Sequence, residues 1–438
     1  MVAIDHTEWN VRRDAAVPRA IGSAFQIYAD HAENAEVWDI EGRRYIDFAG
    51  GIAVVNTGHR HPRVMARVEA QAAHFTHTCF QVLPYGSYIE LAERLNAIAP
   101  VPGPCKTAFF STGAEAIENA LKIARFATGR PAYISFVGAF HGRTMMALAI
   151  TGKIAAYKAG FGPFPADVFH APFPNELRGV STEDSLKAIE RLFQADVDPQ
   201  RVAAIIAEPV QGEGGFYVAP PAFLRGLRTI CDAHGIVLIA DEIQTGFGRT
   251  GKMFALDHSG IRADIVTMAK SLAGGFPLSA VSGRAALMDA IPPGGLGSTY
   301  AGHPLACAAA LGVLDVMADE NLCERACLLG EKLIGRLNAI RKRNTISMIG
   351  DIRGLGSMVA LELAYDGDPS RPAPDLAKAI IAEAARNGLL LLSCGPSGNA
   401  IRFLYPLTID DEIFEQGLKL LEGAIVAAAT TLGANEAC

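Results

Sequence analysis

The stretch from Gly235 to Lys270 constrains this chain more than any other. Its first part, Gly235-Ile-Val-Leu-Ile-Ala-Asp241, is a continuous apolar run that stops at an acid. A run without polar alternation suits a strand covered on both faces, and such strands belong to parallel sheets sandwiched between helices. The second part, Asp264-Ile-Val-Thr-Met-Ala-Lys270, ends on a lysine and breaks into the loop Gly274-Gly-Phe-Pro277. Open α/β sheets bind ligands outside the carboxyl ends of their strands, so Asp241 and Lys270 are expected at one crevice.

A lysine at the mouth of a buried sheet is poorly solvated. Desolvation disfavours the ammonium form, so its pKa falls and leaves a nucleophilic amine. A carboxylate and such a lysine on adjacent strand ends meet the needs of pyridoxal 5′-phosphate. The amine bonds to the aldehyde, and the carboxylate keeps the ring nitrogen protonated so that the ring can accept electrons. By themselves the two residues are equally consistent with surface charges; the apolar runs that precede them argue for the site.

Composition narrows the reading. The 438 residues exceed one ordinary core, so at least two domains are expected, and 50% hydrophobic with 19% charged residues fits an enzyme-like globule. A net charge of −7 provides no basic field for nucleic acid. The N-terminus has no basic segment followed by an apolar core, and no apolar run is long enough to cross a membrane. The nearest such run, Pro304 to Met317, contains Asp315 and reads as a buried helix. Eight cysteines without a CxxC pair indicate reduced thiols and a cytoplasmic setting. Cys323 and Cys327 share a helix face without a second ligand pair, so no metal site is expected, and Cys438 forms no prenylation box.

Taken in order, residues 1–61 read as an N-terminal segment built around a hairpin, Ala35-Glu-Val-Trp-Asp-Ile-Glu-Gly42-Arg-Arg-Tyr-Ile-Asp-Phe48. His59 and His61 follow in a glycine-punctuated loop, without an acid or cysteine cluster for a metal. Residues 62–325 alternate strands and helices as in a doubly wound sheet. Within them, Phe109-Phe-Ser-Thr-Gly113-Ala114 runs into a helical period that ends at Gly129, with Pro131 beyond. Such a helix start can hold a phosphate, though many bind nothing. Phe140 and Arg143, in a glycine-flanked turn, could stack on a ring and grip a carboxylate, or be a core Phe and a surface Arg. Residues 172–200 are polar and irregular with some helix, and carry no functional signal. The strand Arg201 to Ala207 ends in Glu208 and, further on, Glu213, two acids that burial makes costly without an arginine partner. The loop Pro292 to His303 could bring a hydroxyl to a phosphate or serve as a connector. Residues 326–438 read as an α+β domain, in which Arg402 stands out in an apolar strand, while Arg341-Lys-Arg343 reads as a solvated helix end.

These motifs together, FAGGIAVVNTGHRHP, HTCFQV, STGAEAIENALKIAR, GAFHGRT, AEPVQGEGGF, LIADEIQTGFGRTG, AKSLAGGFPL and STYAGHP, cover nearly the whole chain. They resemble the class III, fold-type I aminotransferases, and within them the bacterial 4-aminobutyrate:2-oxoglutarate aminotransferases. The resemblance implies an α/β fold with a large, mostly parallel, seven-stranded doubly wound domain. It also implies a small α+β domain formed by the N-terminal segment and the C-terminal part, and a homodimer or dimer of dimers. It makes Lys270 the covalent lysine and general base and Asp241 the ring-nitrogen partner. Gly113 and Ala114 would supply phosphate-binding amides, and Thr299 would reach the phosphate from the other subunit. Phe140 would stack on one ring face, Ile243 would pack on the other, and Gln244 would bond the ring hydroxyl. Ile52, Arg143, Glu213 and Arg402 would line the substrate pocket. Two positions depart from the pattern: Ala114 stands where some members carry a hydroxyl residue, and His303 where many carry Asn.

The implied reaction is a ping-pong exchange between 4-aminobutyrate and 2-oxoglutarate, giving succinate semialdehyde and glutamate. Arg143 would bind the carboxylate remote from the reacting carbon in both half-reactions, and Arg402 the carboxylate that only the dicarboxylate carries next to it. Glu213 would cover Arg402 in between, because an unpaired buried charge costs roughly 3–5 kcal/mol. Donors such as 5-aminovalerate, acetylornithine or a diamine, and a non-catalytic cofactor-binding protein, are the competing readings.

Overall fold

The apolar run before Asp241 forms the central strand, Val237–Asp241, of a seven-stranded sheet in the computed structural model, which describes residues 5–343 and 346–436. Cys438 lies outside the described residues. The strand order is Cys105–Phe110, Ser279–Arg284, Ile265–Met268, Val237–Asp241, Val202–Ala207, Ala132–Phe136 and Val168–Ala171. Only Ser279–Arg284 runs against its neighbours; the other pairings are parallel. Successive side chains of a strand face opposite ways. Accordingly Val237 and Ile239 pack with Ile117, Ala120 and Leu121 of the helix Gly113–Thr128, while Leu238 and Ala240 join the core on the other side with Leu227 and Phe223. That two-sided burial is why the run contains no polar residue before Asp241.

Asp241 pairs with Thr267 in the parallel ladder, so the chain emerging from the neighbouring strand delivers Lys270 three residues further on, beside it. The apolar helix Pro304–Asp319 is buried nearly throughout, and among the described residues no helix is long and apolar enough to cross a membrane.

The hairpin Glu36–Asp39 and Arg44–Asp47 is extended on one side by Ala29–Glu33 and on the other, in parallel, by Leu389–Leu390. A second sheet, Ile349–Leu355, Met358–Leu363, Ala400–Phe403 and Leu392–Cys394, packs with the helices Leu322–Arg341, Pro374–Arg386 and Asp411–Glu436 around a separate core that includes Phe48, Leu361, Phe403 and Phe414. The N-terminal segment therefore shares a sheet and a core with the C-terminal part.

Three local differences from the sequence reading have physical causes. The helix His6–Ala16 buries no residue, so no apolar periodicity announces it. Within residues 172–200, where some helix was expected without a position, the helix is Thr182–Ala195, and its start is marked by a reciprocal cap between Ser181 and Asp184, a signal carried by polar residues alone. The final helix runs to Glu436, beyond the expected end near residue 432.

Candidate active site

The carboxyl ends of the central strands open into a cavity of about 340 Å³ lined by Gly113, Ala114, Phe140, His141, Glu208, Glu213, Asp241, Ile243, Gln244 and Lys270, among others. At its floor, Asp241 is buried and held from three sides. Its Oδ1 accepts hydrogen bonds from the Ile243 amide and the Thr267 hydroxyl, both at 3.1 Å, and its Oδ2 lies 2.7 Å from His141 Nδ1. His141 is itself buried, with Nε2 3.3 Å from Ser135 Oγ and its amide donating to Thr151 Oγ1. The sequence reading quoted His141 inside a motif and gave it no role. Its signal, a histidine between two glycines after a buried strand, is too common to identify a partner 100 positions away.

Lys270 faces the same cavity in the left-handed region, at φ 46°, a conformation costly for a non-glycine residue and typical of functional sites. Burial pulls its ammonium down to about 8, partly countered by Glu213. No side chain hydrogen-bonds its amine among the described residues.

The helix start behaves as an anion cradle. Thr112 and Glu115 form a reciprocal cap: the Glu115 amide donates to Thr112 Oγ1, and the amides of Ser111 and Thr112 donate to the Glu115 carboxylate. The Gly113 and Ala114 amides are left without a partner among the described residues, at the positive end of a 16-residue helix. Glycine at 113 keeps this turn against the facing wall, since a Cβ there would sit 3.1 Å from Ile243 Cδ1. At Gly142, φ is 133° and a Cβ would come within 2.8 Å of Ala114 Cβ, so the small residue at 114 matches a tight contact.

Gln244 is buried, and its Oε1 has no hydrogen-bond partner. A buried unpaired amide oxygen is costly. The set of features fits pyridoxal 5′-phosphate: an unpaired lysine amine, an oriented carboxylate, free helix amides and an unused amide, in a cavity that Phe140 and Ile243 also line.

The two glutamates that were expected to need an arginine differ. Glu213 ion-pairs with Arg402 and accepts a hydrogen bond from the Tyr157 hydroxyl at 3.2 Å. Burial pushes its carboxyl up, but the Arg402 guanidinium outweighs this and holds it below the usual carboxylate range. Glu208 has no arginine. It accepts from the amides of Phe140 and Gly212, both at 2.9 Å, and burial raises its pKa to about 7. Two backbone donors replace the predicted cation, a substitution that sequence cannot register.

The remaining expected residues are placed around or outside this cavity and not in its lining. Arg143 is exposed, with its guanidinium 4.9 Å from the centre of the Tyr157 ring. Arg402 is buried on Ala400–Phe403 and reaches the cavity through Glu213. Ile52 is 43% exposed, in a run from Gly50 to Ala53 whose four residues all have positive φ; it precedes Val54, which does line the cavity. Thr299 is exposed in a turn outside the chain's own cavity. Tyr157, absent from the sequence reading, joins the rim together. His59 and His61 are accounted for by Asp47 and Glu320, at 2.9 and 3.1 Å, and among the described residues no cluster could hold a metal. His303 precedes the helix Pro304–Asp319 without a side-chain capping bond and stacks on His77 with centroids 5.6 Å apart.

The chain is similar to known proteins over nearly its whole length. The chain is 56% identical over 410 residues to a 5-aminovalerate aminotransferase of Pseudomonas aeruginosa, covering 94% of this chain and 96% of that one. It is 54% identical to a 4-aminobutyrate aminotransferase of Escherichia coli, with the same coverage. Among solved structures, the ornithine aminotransferase of Toxoplasma gondii matches with a TM-score of 0.86 at 31% identity, covering 98% of this chain and 96% of that one. The model of the family "Aminotransferase class-III" matches residues 19–425, and the chain belongs to that family of pyridoxal-phosphate-dependent aminotransferases, with the fold-type I architecture.

Proposed function

We propose that this enzyme moves the amino group of a short ω-amino acid, 4-aminobutyrate foremost, to 2-oxoglutarate in two half-reactions. The observation that carries this reading is the Glu213–Arg402 ion pair beside Lys270. A buried arginine covered by an internal carboxylate lets one site accept both a substrate with no carboxylate next to its reacting carbon and one that has it. Relatives named for 4-aminobutyrate and 5-aminovalerate support the same substrate class.

When bound, pyridoxal 5′-phosphate supplies an aldehyde that takes up the amine and a ring that stabilises negative charge on the substrate carbon. Gly113 and Ala114 would hold the phosphate through their amides, with Thr299 of a second subunit closing that end. Phe140 and Ile243 would flank the ring, Gln244 would bond its hydroxyl, and Asp241 would hold a proton on its nitrogen. Lys270, its pKa lowered to about 8 by burial, would carry the proton from the substrate carbon to the carbon of the cofactor's aldehyde group. At the rim, Arg143 grips the remote carboxylate of either substrate, and Ile52 packs on the chain between. Glu213 covers Arg402 while the ω-amino acid reacts and yields it to the second carboxylate of 2-oxoglutarate or glutamate.

Single-turnover reduction of the holoenzyme by 4-aminobutyrate, 5-aminovalerate, acetylornithine, putrescine and glutamate tests the reading. The two ω-amino acids and glutamate should react fastest; a preference for acetylornithine or putrescine overturns it. 5-Aminovalerate as best donor is the second reading, favoured by the Pseudomonas aeruginosa relative. One methylene is worth only about 10- to 200-fold in such a pocket, so the two donors should both react.

A further inference from the structure

We propose that Tyr157 is a positioning residue that sets the balance between covered and uncovered Arg402, and thereby the enzyme's relative preference for ω-amino acids and dicarboxylates. The inference rests on the two-substrate reading above and concerns a residue outside that scheme.

The Glu213 carboxylate is held at both oxygens. Oε1 meets the Arg402 guanidinium, and Oε2 accepts the Tyr157 hydroxyl at 3.2 Å. The backbone is tied as well: the Gly395 amide donates to the Glu213 carbonyl at 3.1 Å, and the Gly395 carbonyl accepts Lys153 Nζ at 2.9 Å. Lys153 Nζ in turn lies 5.6 Å from the Tyr157 ring centre. The result is a closed circuit of Tyr157, Glu213, Gly395 and Lys153 that joins the large domain to the strand-end loop of the small one.

The ring of Tyr157 is itself fixed. It packs against Phe140 with centroids 4.8 Å apart and carries the Arg143 guanidinium at 4.9 Å. A ring so held cannot follow Glu213 when the carboxylate swings off Arg402. The swing therefore breaks both the ion pair and the phenol bond. Burial raises the phenol to about 12, so the donor stays protonated through the working range, and its acceptor is an anion. Hydrogen bonds of this kind are among the stronger ones. Tyr157 thus stabilises only the covered state, the state that serves the ω-amino acid.

The test is Tyr157→Phe, which removes one oxygen and keeps the ring that packs on Phe140 and Arg143. Reconstituted holoenzyme is mixed rapidly with 4-aminobutyrate and, in its aminated form, with 2-oxoglutarate, and the two specificity constants are measured. The ratio of the 2-oxoglutarate constant to the 4-aminobutyrate constant should rise about tenfold, the size expected for one hydrogen bond to a charged group. Whichever state dominates in the parent, weakening the covered one moves this ratio in the same direction. A ratio unchanged within about twofold, as a purely structural role would give, or one that falls, overturns the proposal. Glu213→Gln, measured alongside, separates the two levels. If it too leaves the ratio unchanged, the two-substrate reading fails; if it moves the ratio and Tyr157→Phe does not, only the role of Tyr157 fails.

Discussion

The floor and the rim of the cavity are built differently. The floor residues Asp241, Thr267 and Lys270 come from two adjacent parallel strands of one sheet, and His141 and Gly113 from turns directly after two others. Asp241 and Thr267 lie in the strands themselves, and Lys270, His141 and Gly113 follow strand ends within a few residues. The rim is assembled from distant pieces: Arg143 and Tyr157 from loops of the large domain, Glu213 from a tight turn, Arg402 and Gly395 from the small domain. A floor held by one rigid sheet suits steps common to all substrates. A rim shared between two domains, in which the Glu213 carboxylate ties the Tyr157 phenol of one to the Arg402 guanidinium of the other, suits the step where substrates differ.

The contrast yields a rule that mutations can break: floor changes should depress both half-reactions alike, and rim changes should split them. Lys270→Ala should have the largest effect, slowing both half-reactions by at least about 10³-fold, as expected for loss of a general base that is also the covalent anchor. Stopped-flow spectra of the variant with 4-aminobutyrate and with glutamate check it, and a loss confined to one substrate would break the contrast. Asp241→Asn should follow, with both half-reactions down by roughly 10²- to 10³-fold, the kinetic equivalent of removing one partner from a buried charge pair. The same experiment checks it, and the cofactor's absorption maximum should shift because the ring nitrogen loses its anionic neighbour.

The smallest effect is one of pH. Lys270 is depressed to about 8. Only the neutral amine attacks an aldehyde, so cofactor capture by the apoprotein should accelerate roughly tenfold per pH unit below that point and level off above it. An unshifted lysine would keep accelerating to about pH 10.4. Absorbance-followed reconstitution between pH 6 and 10 distinguishes the two, and continued acceleration past pH 9 would remove the burial argument for the floor.

Legibility in the sequence follows the same divide. The strand ending at Asp241, the helix start at Gly113 and the stop at Gly129 are local patterns that the structure has, whereas the strand expected to end on Lys270 stops at Met268 and Lys270 opens a short turn. The conspicuous Arg402 and the acid Glu213 were noted as a charge in need of a partner, and their pairing spans 189 positions. His141 and Tyr157 were not singled out, because nothing near them in sequence marks their partners. Glu208 was misread, since backbone amides of Phe140 and Gly212 satisfy it where a cation was expected.

What the amino-acid sequence determined alone is several of the buried strands, among them the one that ends at Asp241, and the motifs that identify the family, because hydrophobic periodicity and turn chemistry act over a few residues. Which neutral and charged groups meet across the cavity was decided only by the tertiary structure. Desolvation, hydrogen bonding and ion pairing depend on distances between atoms, and those distances exist only once two sheets and the loops between them have packed.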